Sequence, residues 1–404
     1  MNEHSISALL RRSVSSSIVV FIIVAAVFAV TTRGHLRQSY DSATYLALAD
    51  SAQQGKVGTF TTSTQANFTI VLFPALIALI RKVTPGHWEA VMLAMNVICA
   101  AVTAVFLMKL VRAVTDSVAA AVAALLFYVC AYDIFVWIGW LLTDHIYTML
   151  SVIVFALLVR GIVNGNAVNL ARRLKMYAAL ALAVITRPVG FVLLPLVVVA
   201  DWVFVRRDTK ANRRAVWILF AAGVVAAIVV HAWFFQDMRR WPSDFMRPKL
   251  QEYADREQSG EVVWGHPETA HARPVSFADH VAIEADRFVR FFQVTSERNS
   301  RTHNLYSLLY YGLLYLLALV GIVSALRGDD RRRSAVVHVA LLWILTAAAL
   351  SAVSILDYDW RYRLPLMPQM ILLAAIGTEA VVRRLAPVSD PAKSVVMARS
   401  ASVR

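Results

Sequence analysis

Long runs of apolar residues decide the class of protein to which this sequence can belong. Nine of them are long enough to cross the roughly 30 Å hydrocarbon core of a bilayer as helices. They lie at about 14–32, 88–110, 117–136, 139–160, 188–205, 214–235, 305–326, 335–356 and 363–384. With 59% hydrophobic and only 16% charged residues, the chain carries too much apolar surface for a soluble domain. We therefore predict an all-α polytopic membrane protein.

Two shorter apolar runs decide the topology. As helices, Ile70–Ile80 would extend about 16 Å and Leu174–Thr186 about 20 Å at 1.5 Å per residue. If the first stays at the outer surface and the second crosses, all the basic clusters fall on one side. These clusters are Arg11/Arg12, Lys109/Arg112, Arg160/Arg172/Arg173/Lys175, Arg206/Arg207/Lys210/Arg213/Arg214, Arg327/Arg331/Arg332/Arg333 and Arg383/Arg384. The positive-inside rule then favours about ten transmembrane helices, with both termini in the cytoplasm. Because the clusters account for the net charge of +14, no nucleic-acid partner is expected.

This topology divides the chain into four parts. Residues 1–235 form an N-terminal transmembrane module, which includes a first outer loop at 33–87 with short juxtamembrane helices. Residues 236–303 mix both charge signs with Trp, Pro and Gly, and are predicted to fold as a small extracytoplasmic cap. Residues 304–386 supply the C-terminal transmembrane helices, and 387–404 a cytoplasmic tail.

Two acidic motifs stand at the predicted outer face. Asp41 follows the first span, with Tyr45 one helical turn further along the same face. Asp144 and His145 begin the fourth span. Ionisable groups at membrane depth are costly and usually functional, so both aspartates are candidate catalytic carboxylates, with Tyr45 and His145 as substrate contacts. The alternatives are that Asp41 caps a helix and that the second motif anchors its helix at the interface.

Three arginines are expected at the same face. Arg187 follows a helix too short to reach the outer surface, while Arg361 and Arg363 flank Tyr362 at the start of the last span. Guanidinium groups match phosphate oxygens in geometry, so the three arginines are predicted to bind a donor phosphate, with Tyr362 as a substrate contact. There are two alternatives to this phosphate site. Arg187 could extend to the lipid headgroups, and Tyr362 could belong to an aromatic belt at the membrane interface.

Several segments, in this order, resemble membrane glycosyltransferases of the GT-C superfamily. They are YDSATYLALAD with GKVGTF, LFPALIALIRKV, LLTDHIYTMLSVIVFALLVR, ITRPVGFVLLPL and RYRLPLMPQMILLAAIG. The chain is similar to bacterial relatives of dolichyl-phosphate-mannose–protein mannosyltransferase and of lipid A aminoarabinose transferase. The resemblance implies a catalytic base at Asp41. Many members have a second acidic residue next to the base, where this chain has Ser42. The sequence indicates no metal site or other cofactor, although the family leaves a divalent metal open.

The resemblance also implies the reaction and its partners. A sugar would move from a polyprenyl-phosphate donor to an acceptor hydroxyl on a glycan, lipid or protein, at the extracytoplasmic face of a bacterial inner membrane. A single attack would invert the anomeric centre, with Asp41 taking the proton and the arginines stabilising the departing phosphate. Besides these substrates, membrane lipids are the expected partners.

Two other functions stay open. An O-antigen ligase or polymerase also has a large outer loop, and the residues around His303 resemble the His-Asn element of those enzymes. A lipid-linked sugar flippase or transporter would use outward-facing arginines too. It would also be expected to show charged residues along its spans and paired Gly or Pro breaks, with internal repeats.

Overall fold

A computed structural model gives the fold of most of the chain. The structure describes residues 3–32, 34–55, 71–164, 170–187, 190–206, scattered positions from 210 to 225, 276–297, 299–353 and 360–385. Within these ranges the regular structure is helical, apart from an isolated backbone bridge between Arg37 and Trp140. The all-α prediction is therefore confirmed for the described residues.

The helices whose bounds the structure gives are named here in chain order. They are α1 Glu3–Thr32, α2 Tyr40–Gln53, α3 Leu72–Val83, α4 Trp88–Thr115, α5 Val118–Val129, α6 Tyr132–Ile138, α7 Asp144–Asn164, α8 Leu170–Val184, α9 Gly190–Ala200, α10 Phe277–Phe291, α11 Arg301–Arg327, α12 Arg331–Val353, α13 Trp360–Arg363 and α14 Met367–Leu385. A π-helical turn, Asp201–Arg206, extends α9, and a 3₁₀ turn, Leu364–Leu366, joins α13 to α14.

The apolar helices identify a membrane protein, but the described part of the chain does not reach ten spans. Five helical stretches are long and apolar enough to cross a bilayer: α4, α7, α11, α12 and the continuous stretch Arg361–Leu385, which α13, the 3₁₀ turn and α14 form together. The pair α5 and α6, bent by 50° at its break, makes a sixth if the two halves count as one span. The apolar parts of α1 and α9 are shorter, and α8 has 15 residues, about 22 Å at 1.5 Å per residue. Most of the predicted span at 214–235 lies outside the described residues.

Helices α2 and α3 lie in the loop where juxtamembrane helices are predicted, and they pack against each other. Helix α3 occupies the short apolar run at 70–80 and tolerates Pro74 because it lies in the first turn, where the missing N–H is not needed. Arg81 joins the two helices through an ion pair of 2.7 Å with Asp50, and its guanidinium lies 4.3 Å from the Trp88 ring centroid. These contacts fix the first loop against the start of α4.

Close packing of α11 on α14 holds the C-terminal half together. A Cβ atom at Gly321 would collide with the Leu373 carbonyl, and one at Gly377 with the Leu317 carbonyl. Both positions therefore need glycine, as is common where membrane helices approach closely. This contact fixes α14, which follows directly on α13.

The two ends of the bundle both carry buried ion pairs. Helix α2 begins at one end, which we call the loop end, and α7 and α13 begin there as well. At the opposite end, Arg172 and Arg173 pair with Asp201, while Arg333 pairs with Glu379. The loop end is the predicted outer face.

Candidate active site

The first turn of α2 places Asp41. The helix begins at Tyr40 with Ser39 as its N-cap residue, so Asp41 lies inside the first turn and does not cap the helix. Ser42 accepts a hydrogen bond from the Ser39 amide at 2.8 Å and donates one to the Leu141 carbonyl at 2.9 Å. Ser42 thus joins the start of α2 to the loop before α7. Its hydroxyl has a structural role at the position where many GT-C members carry the second acid.

Asp144 begins α7 and is fully buried. One carboxylate oxygen accepts a hydrogen bond from Arg187, and the other accepts one from Arg361 Nε at 3.0 Å. Each arginine is less than one-tenth exposed. Because an unpaired charge is very unfavourable at such depth, the carboxylate is what allows two guanidinium groups to lie side by side.

Arg361 extends this arrangement to Asp41. Its Nη1 atom donates a hydrogen bond of 2.6 Å to Asp41 Oδ2. The order in space is therefore Arg187, Asp144, Arg361, Asp41, with charges that alternate in sign. We call these four residues the site cluster. The Asp41 side chain is 38% exposed, whereas the other three are at most 10% exposed, so the cluster opens at Asp41.

Arg187 closes the other end of the site cluster and faces an apolar cleft. The chain leaves α8 at Val184, in keeping with Pro188, which disfavours helical geometry in the residue before it. The guanidinium carbon lies 5.8 Å from the Tyr147 ring centroid and 5.4 Å from that of Tyr362. The rest of the cleft is lined by Leu193, Trp343, Ala347, Leu350, Ser351, Pro365 and Leu366. A cation thus stands at the polar end of a mainly apolar wall.

The predicted substrate contacts lie in three different environments. Tyr362 is between the two site-cluster arginines, with its ring centroid 5.8 Å from Arg361. Tyr45 is buried edge-on against Phe73, with ring centroids 5.1 Å apart. Burial, reinforced by the charge of Asp41, raises the pKa of the Tyr45 hydroxyl, which therefore stays protonated at neutral pH. His145 is 1% exposed, so it has no open surface to offer a ligand.

Arg363 belongs to a different cluster. Its Nη1 atom donates a 2.7 Å hydrogen bond to the Gln293 carbonyl, and its Nη2 atom lies 3.8 Å from Asp133. Tyr311 donates to the same Asp133 carboxylate, and its ring centroid is 4.8 Å from the guanidinium carbon. We call Asp133, Tyr311 and Arg363 the brace cluster.

Helix geometry explains why the two neighbouring arginines separate. Successive residues of an α-helix are rotated by about 100°, so residues two apart point in nearly opposite directions. Arg361 and Arg363 occupy one turn of α13 and therefore face opposite sides. The structure brings Arg187 and Arg361 together, as predicted, but does not bring Arg363 to them.

Sequence reasoning did not identify Asp133, Tyr311 or Gln293. The signal for Asp133 was present, because it is an acidic residue inside an apolar run, where ionisable groups are expensive. Tyr311 is one of several tyrosines on α11, and the contact of Gln293 runs through its backbone, so neither has a signature in the sequence. His303, the residue behind the ligase alternative, lies against Tyr132 with ring centroids 4.1 Å apart.

Metal ligands are not gathered in the part of the chain that the structure describes. No group of three or more His, Cys, Asp or Glu side chains there could hold a metal ion. Asp357 and Asp359, which precede α13 in the sequence, lie outside the described residues.

Comparison with known proteins finds a likeness in structure. A scan against protein-family models gave no match, and a search of curated proteins found no relative by sequence. The fold is similar to archaeal oligosaccharyltransferase AglB from Archaeoglobus fulgidus, solved with an inhibitory peptide and a dolichol-phosphate. That match has a TM-score of 0.55 and 13% identity, and covers 91% of this chain and 50% of the other. The oligosaccharyltransferase of the same organism in its apo form matches with a TM-score of 0.53 and 12% identity, over 94% and 52% of the two chains.

The chain thus spans about half the length of the oligosaccharyltransferases that it resembles. At this level of identity the likeness concerns the fold alone. The resemblance first drawn from the sequence motifs thus finds support in a likeness of fold to these oligosaccharyltransferases.

Proposed function

We propose that this chain is a GT-C-type glycosyltransferase, which moves a sugar from a polyprenyl-phosphate donor to an acceptor hydroxyl. The observation that carries the proposal is the site cluster. It joins a partly exposed carboxylate, Asp41, to a buried arginine, Arg187, at the head of an apolar cleft. A lipid-linked sugar needs all three features, namely a base for the acceptor, a cation for the phosphate and an apolar surface for the lipid.

Arg187 is suited to the donor phosphate. A guanidinium has five N–H donors in a planar fork, so Arg187 can hold Asp144 and a phosphate oxygen at the same time. Its tyrosine neighbours, Tyr147 and Tyr362, restrict the orientation of the fork. Ala347 and Leu350, which are partly exposed, continue the cleft as an apolar wall for the first isoprene units. The dolichol-phosphate complex of the similar archaeal enzyme supports a ligand of this chemistry.

Asp41 is suited to act as the base. The acceptor O–H bond would break as the proton passes to the Asp41 carboxylate, while the acceptor oxygen forms a bond to the anomeric carbon. The bond between that carbon and the phosphate oxygen would break, and its electron pair would remain on the lipid phosphate. Arg187 and Arg361 would stabilise the negative charge that develops on the phosphate. A single displacement of this kind inverts the anomeric centre.

Asp144 has a different task in this mechanism. It is 0% exposed and bonded to both arginines, so an acceptor hydroxyl has no approach to its carboxylate. We therefore propose Asp41 as the base and Asp144 as the residue that positions the two guanidinium groups. Arg363 is not assigned to the phosphate, because its contacts belong to the brace cluster.

The proposed location follows from the charge distribution along the chain. The basic clusters on one side of the predicted topology favour a cytoplasmic opposite end, with the loop end and its site cluster outside. The setting proposed is a bacterial inner membrane, where polyprenyl-phosphate sugars can serve acceptors beyond the cytoplasm. The acceptor class proposed is a glycan, lipid or protein hydroxyl.

Donor binding tests the proposal in the full chain in lipid nanodiscs. Polyprenyl phosphate should raise the melting temperature saturably, whereas polyprenol, which lacks the phosphate, should not. Arg187→Gln should abolish this stabilisation. Arg81→Gln is the matched control, because it removes an arginine from an exposed ion pair at the same end. Equal stabilisation of wild type and Arg187→Gln, or equal effects of the two lipids, would refute the donor assignment.

Transfer itself is measured with a panel of polyprenyl-phosphate-linked sugars and native membrane acceptors. Appearance of a glycosylated product that depends on the chain supports the enzyme. The same protein is reconstituted into sealed vesicles to measure transport. Donor binding without any product, but with transport of the intact lipid-linked sugar across the vesicle membrane, would favour the transporter instead.

A further inference from the structure

Helix α10 exposes an apolar face. Phe277, Val281, Ala285 and Val289 follow one another at four-residue spacing, which places them along one side of the helix. All four are exposed, Phe277 by 51% and Val289 by 68% of their surface. In water such a stripe would be unfavourable, because each large apolar side chain gains free energy on burial.

The opposite side of α10 is buried and includes two charged residues beside Phe291. Glu284 and Arg287 are 4% and 6% exposed, on the side that packs against α12. Arg287 donates a hydrogen bond of 3.4 Å to the carbonyl of Ala352, in the last turn of α12. A surface helix of a water-soluble cap has the reverse arrangement, with apolar residues inside and charged residues outside.

The end of α10 lies deep along a membrane-spanning helix. The Phe292 carbonyl, just after the helix, accepts a 3.4 Å hydrogen bond from the Tyr315 hydroxyl on α11. Exposed leucines begin on α11 at Leu305, ten residues before Tyr315. Ten residues correspond to about 15 Å of helix, half the thickness of the hydrocarbon core. Because long helical side chains point back toward the helix N-terminus, the Tyr315 hydroxyl lies nearer the loop end than its backbone. The C-terminal end of α10 therefore lies below Leu305, within the half of the hydrocarbon layer nearer the loop end.

Several polar groups of the non-helical chain after α10 are satisfied within the protein. Arg363 donates to the Gln293 carbonyl at 2.7 Å, and the Gln293 side chain donates to the Thr295 carbonyl at 2.7 Å. The amide and carbonyl of Ser296 both bond to the Asn304 side chain, at 3.0 and 2.7 Å. Irregular backbone is tolerated at membrane depth where such partners replace water. Since Asn304 lies near the start of α11, the segment rises along that helix to the loop end.

From these observations we infer that α10 is embedded in the hydrocarbon layer, with its Phe277, Val281, Ala285 and Val289 face against lipid acyl chains. It is a re-entrant element of the membrane domain and not part of an aqueous cap. The occupant is lipid because the apolar face belongs to a helix that ends below the first lipid-facing leucine of α11 and packs on a spanning helix, α12.

The embedded helix has a consequence for the brace cluster. Gln293, two residues beyond α10, holds Arg363 through its backbone carbonyl. Arg363 shares one helical turn with Arg361 of the site cluster. The position of α10 in the membrane is thereby linked mechanically to the residues that surround the proposed donor phosphate.

Spin-label accessibility tests this placement in the full chain, reconstituted in nanodiscs. Cys99 and Cys130 are first replaced, and nitroxide labels are attached at Val281→Cys and Val289→Cys. Ala285→Cys is a milder substitution on the same face, in case either valine variant folds poorly. Leu309→Cys on α11 is the lipid-facing reference, since Leu309 is 66% exposed on a spanning helix. Asp329→Cys, in the exposed turn after α11, is the aqueous reference.

For each label, the measured quantity is the rate at which the nitroxide collides with oxygen, which enters lipid, divided by the rate for a nickel chelate, which stays in water. For the labels on α10, we expect this ratio to equal that of Leu309→Cys and to exceed that of Asp329→Cys several-fold. A ratio like that of Asp329→Cys would mean that α10 belongs to an aqueous cap, and the inference would be overturned. Low accessibility to both reagents would mean that protein, such as a second copy of the chain, covers the face, which also overturns it. Neither outcome depends on whether the chain transfers sugar.

Discussion

Arg361 and Arg363 share one turn of helix, yet they serve clusters of different character. Both are buried, at 8% and 1% exposure, and both pair with an aspartate. The site cluster of Arg361 ends in the partly exposed Asp41 at one side and in the cleft beside Arg187 at the other. The brace cluster of Arg363 is enclosed by α6, α11 and the chain after α10. A buried arginine therefore marks a binding site only where its cluster reaches solvent or a cleft.

The two clusters also differ in how they could respond to an anion. In the site cluster two guanidinium groups share two carboxylates, so an arriving phosphate can take over part of the pairing of Arg187 and Arg361. In the brace cluster the guanidinium is held by a backbone carbonyl, an aspartate and a tyrosine ring. Those partners fix a position, and we expect them to affect catalysis through the placement of α13.

Asp144→Ala should have the largest effect, because it leaves two buried guanidinium groups without their shared carboxylate. Removing one partner of a buried ion pair typically destabilises a protein by about 3–5 kcal/mol, and we expect the upper end of that range here. Thermal unfolding of the purified variant measures it, and transfer should be absent. Asp50→Ala removes an exposed aspartate of the same loop end and should change little. Similar stability of the two variants would show that Asp144 does not hold the arginines together.

Asp41→Asn should leave folding and donor binding intact while transfer falls by about 100- to 10,000-fold, the usual contribution of a general base. Steady-state transfer rates and the stabilisation by polyprenyl phosphate measure the two properties separately. Asp50→Asn on the same helix is the control. If Asp41→Asn turned over normally, the base would have to be sought outside the site cluster.

Arg363→Gln and Asp133→Asn should behave alike, since each breaks the brace cluster from one side. We expect a loss of about 3 kcal/mol in unfolding free energy and a lower kcat, with the KM for the donor little changed. Arg363→Lys should restore part of kcat, because it keeps the positive charge near Asp133. A selective rise in donor KM for Arg363→Gln, without any such rise for Asp133→Asn, would return Arg363 to the phosphate.

Tyr311→Phe should have the smallest effect. It removes one hydrogen bond to the Asp133 carboxylate but keeps the ring beneath Arg363, so a loss of about 1.5 kcal/mol is expected. Transfer kinetics should stay near wild type, and unfolding curves compared with Tyr306→Phe, which alters an exposed tyrosine of α11, measure the difference. Inactivity of Tyr311→Phe in a stable protein would mean that the brace cluster takes part in the chemistry.

The sequence predicted where the long helices lie, but it predicted the number of membrane spans less completely. The length of the apolar runs located α4, α7, α11, α12 and the stretch that contains α14, because a spanning helix must be apolar over most of its length. The ten-span count relied on shorter runs such as that of α8, whose length is below the bilayer thickness. The sequence did not reveal helix α10 within the predicted cap, because its charged residues make the segment polar on average, although the stripe of Phe277, Val281, Ala285 and Val289 is apolar.

Much of the site was also predictable. The cost of charge in a membrane singled out Asp41, Asp144, Arg187 and Arg361, and the structure brings these four together. The sequence could not give the direction of each side chain. The expectation for Arg363 overlooked the rotation between residues of one helical turn, and that for His145 did not include the burial of the first turn of α7.

The most direct test of the account is a structure of the full chain in lipid nanodiscs with polyprenyl phosphate added. The account predicts a phosphate in contact with Arg187 and Arg361, the isoprene chain along the cleft beside Ala347 and Leu350, and Asp41 facing the same space. A phosphate bound at Arg363, or Asp41 and Arg187 opening onto separate environments, would contradict it.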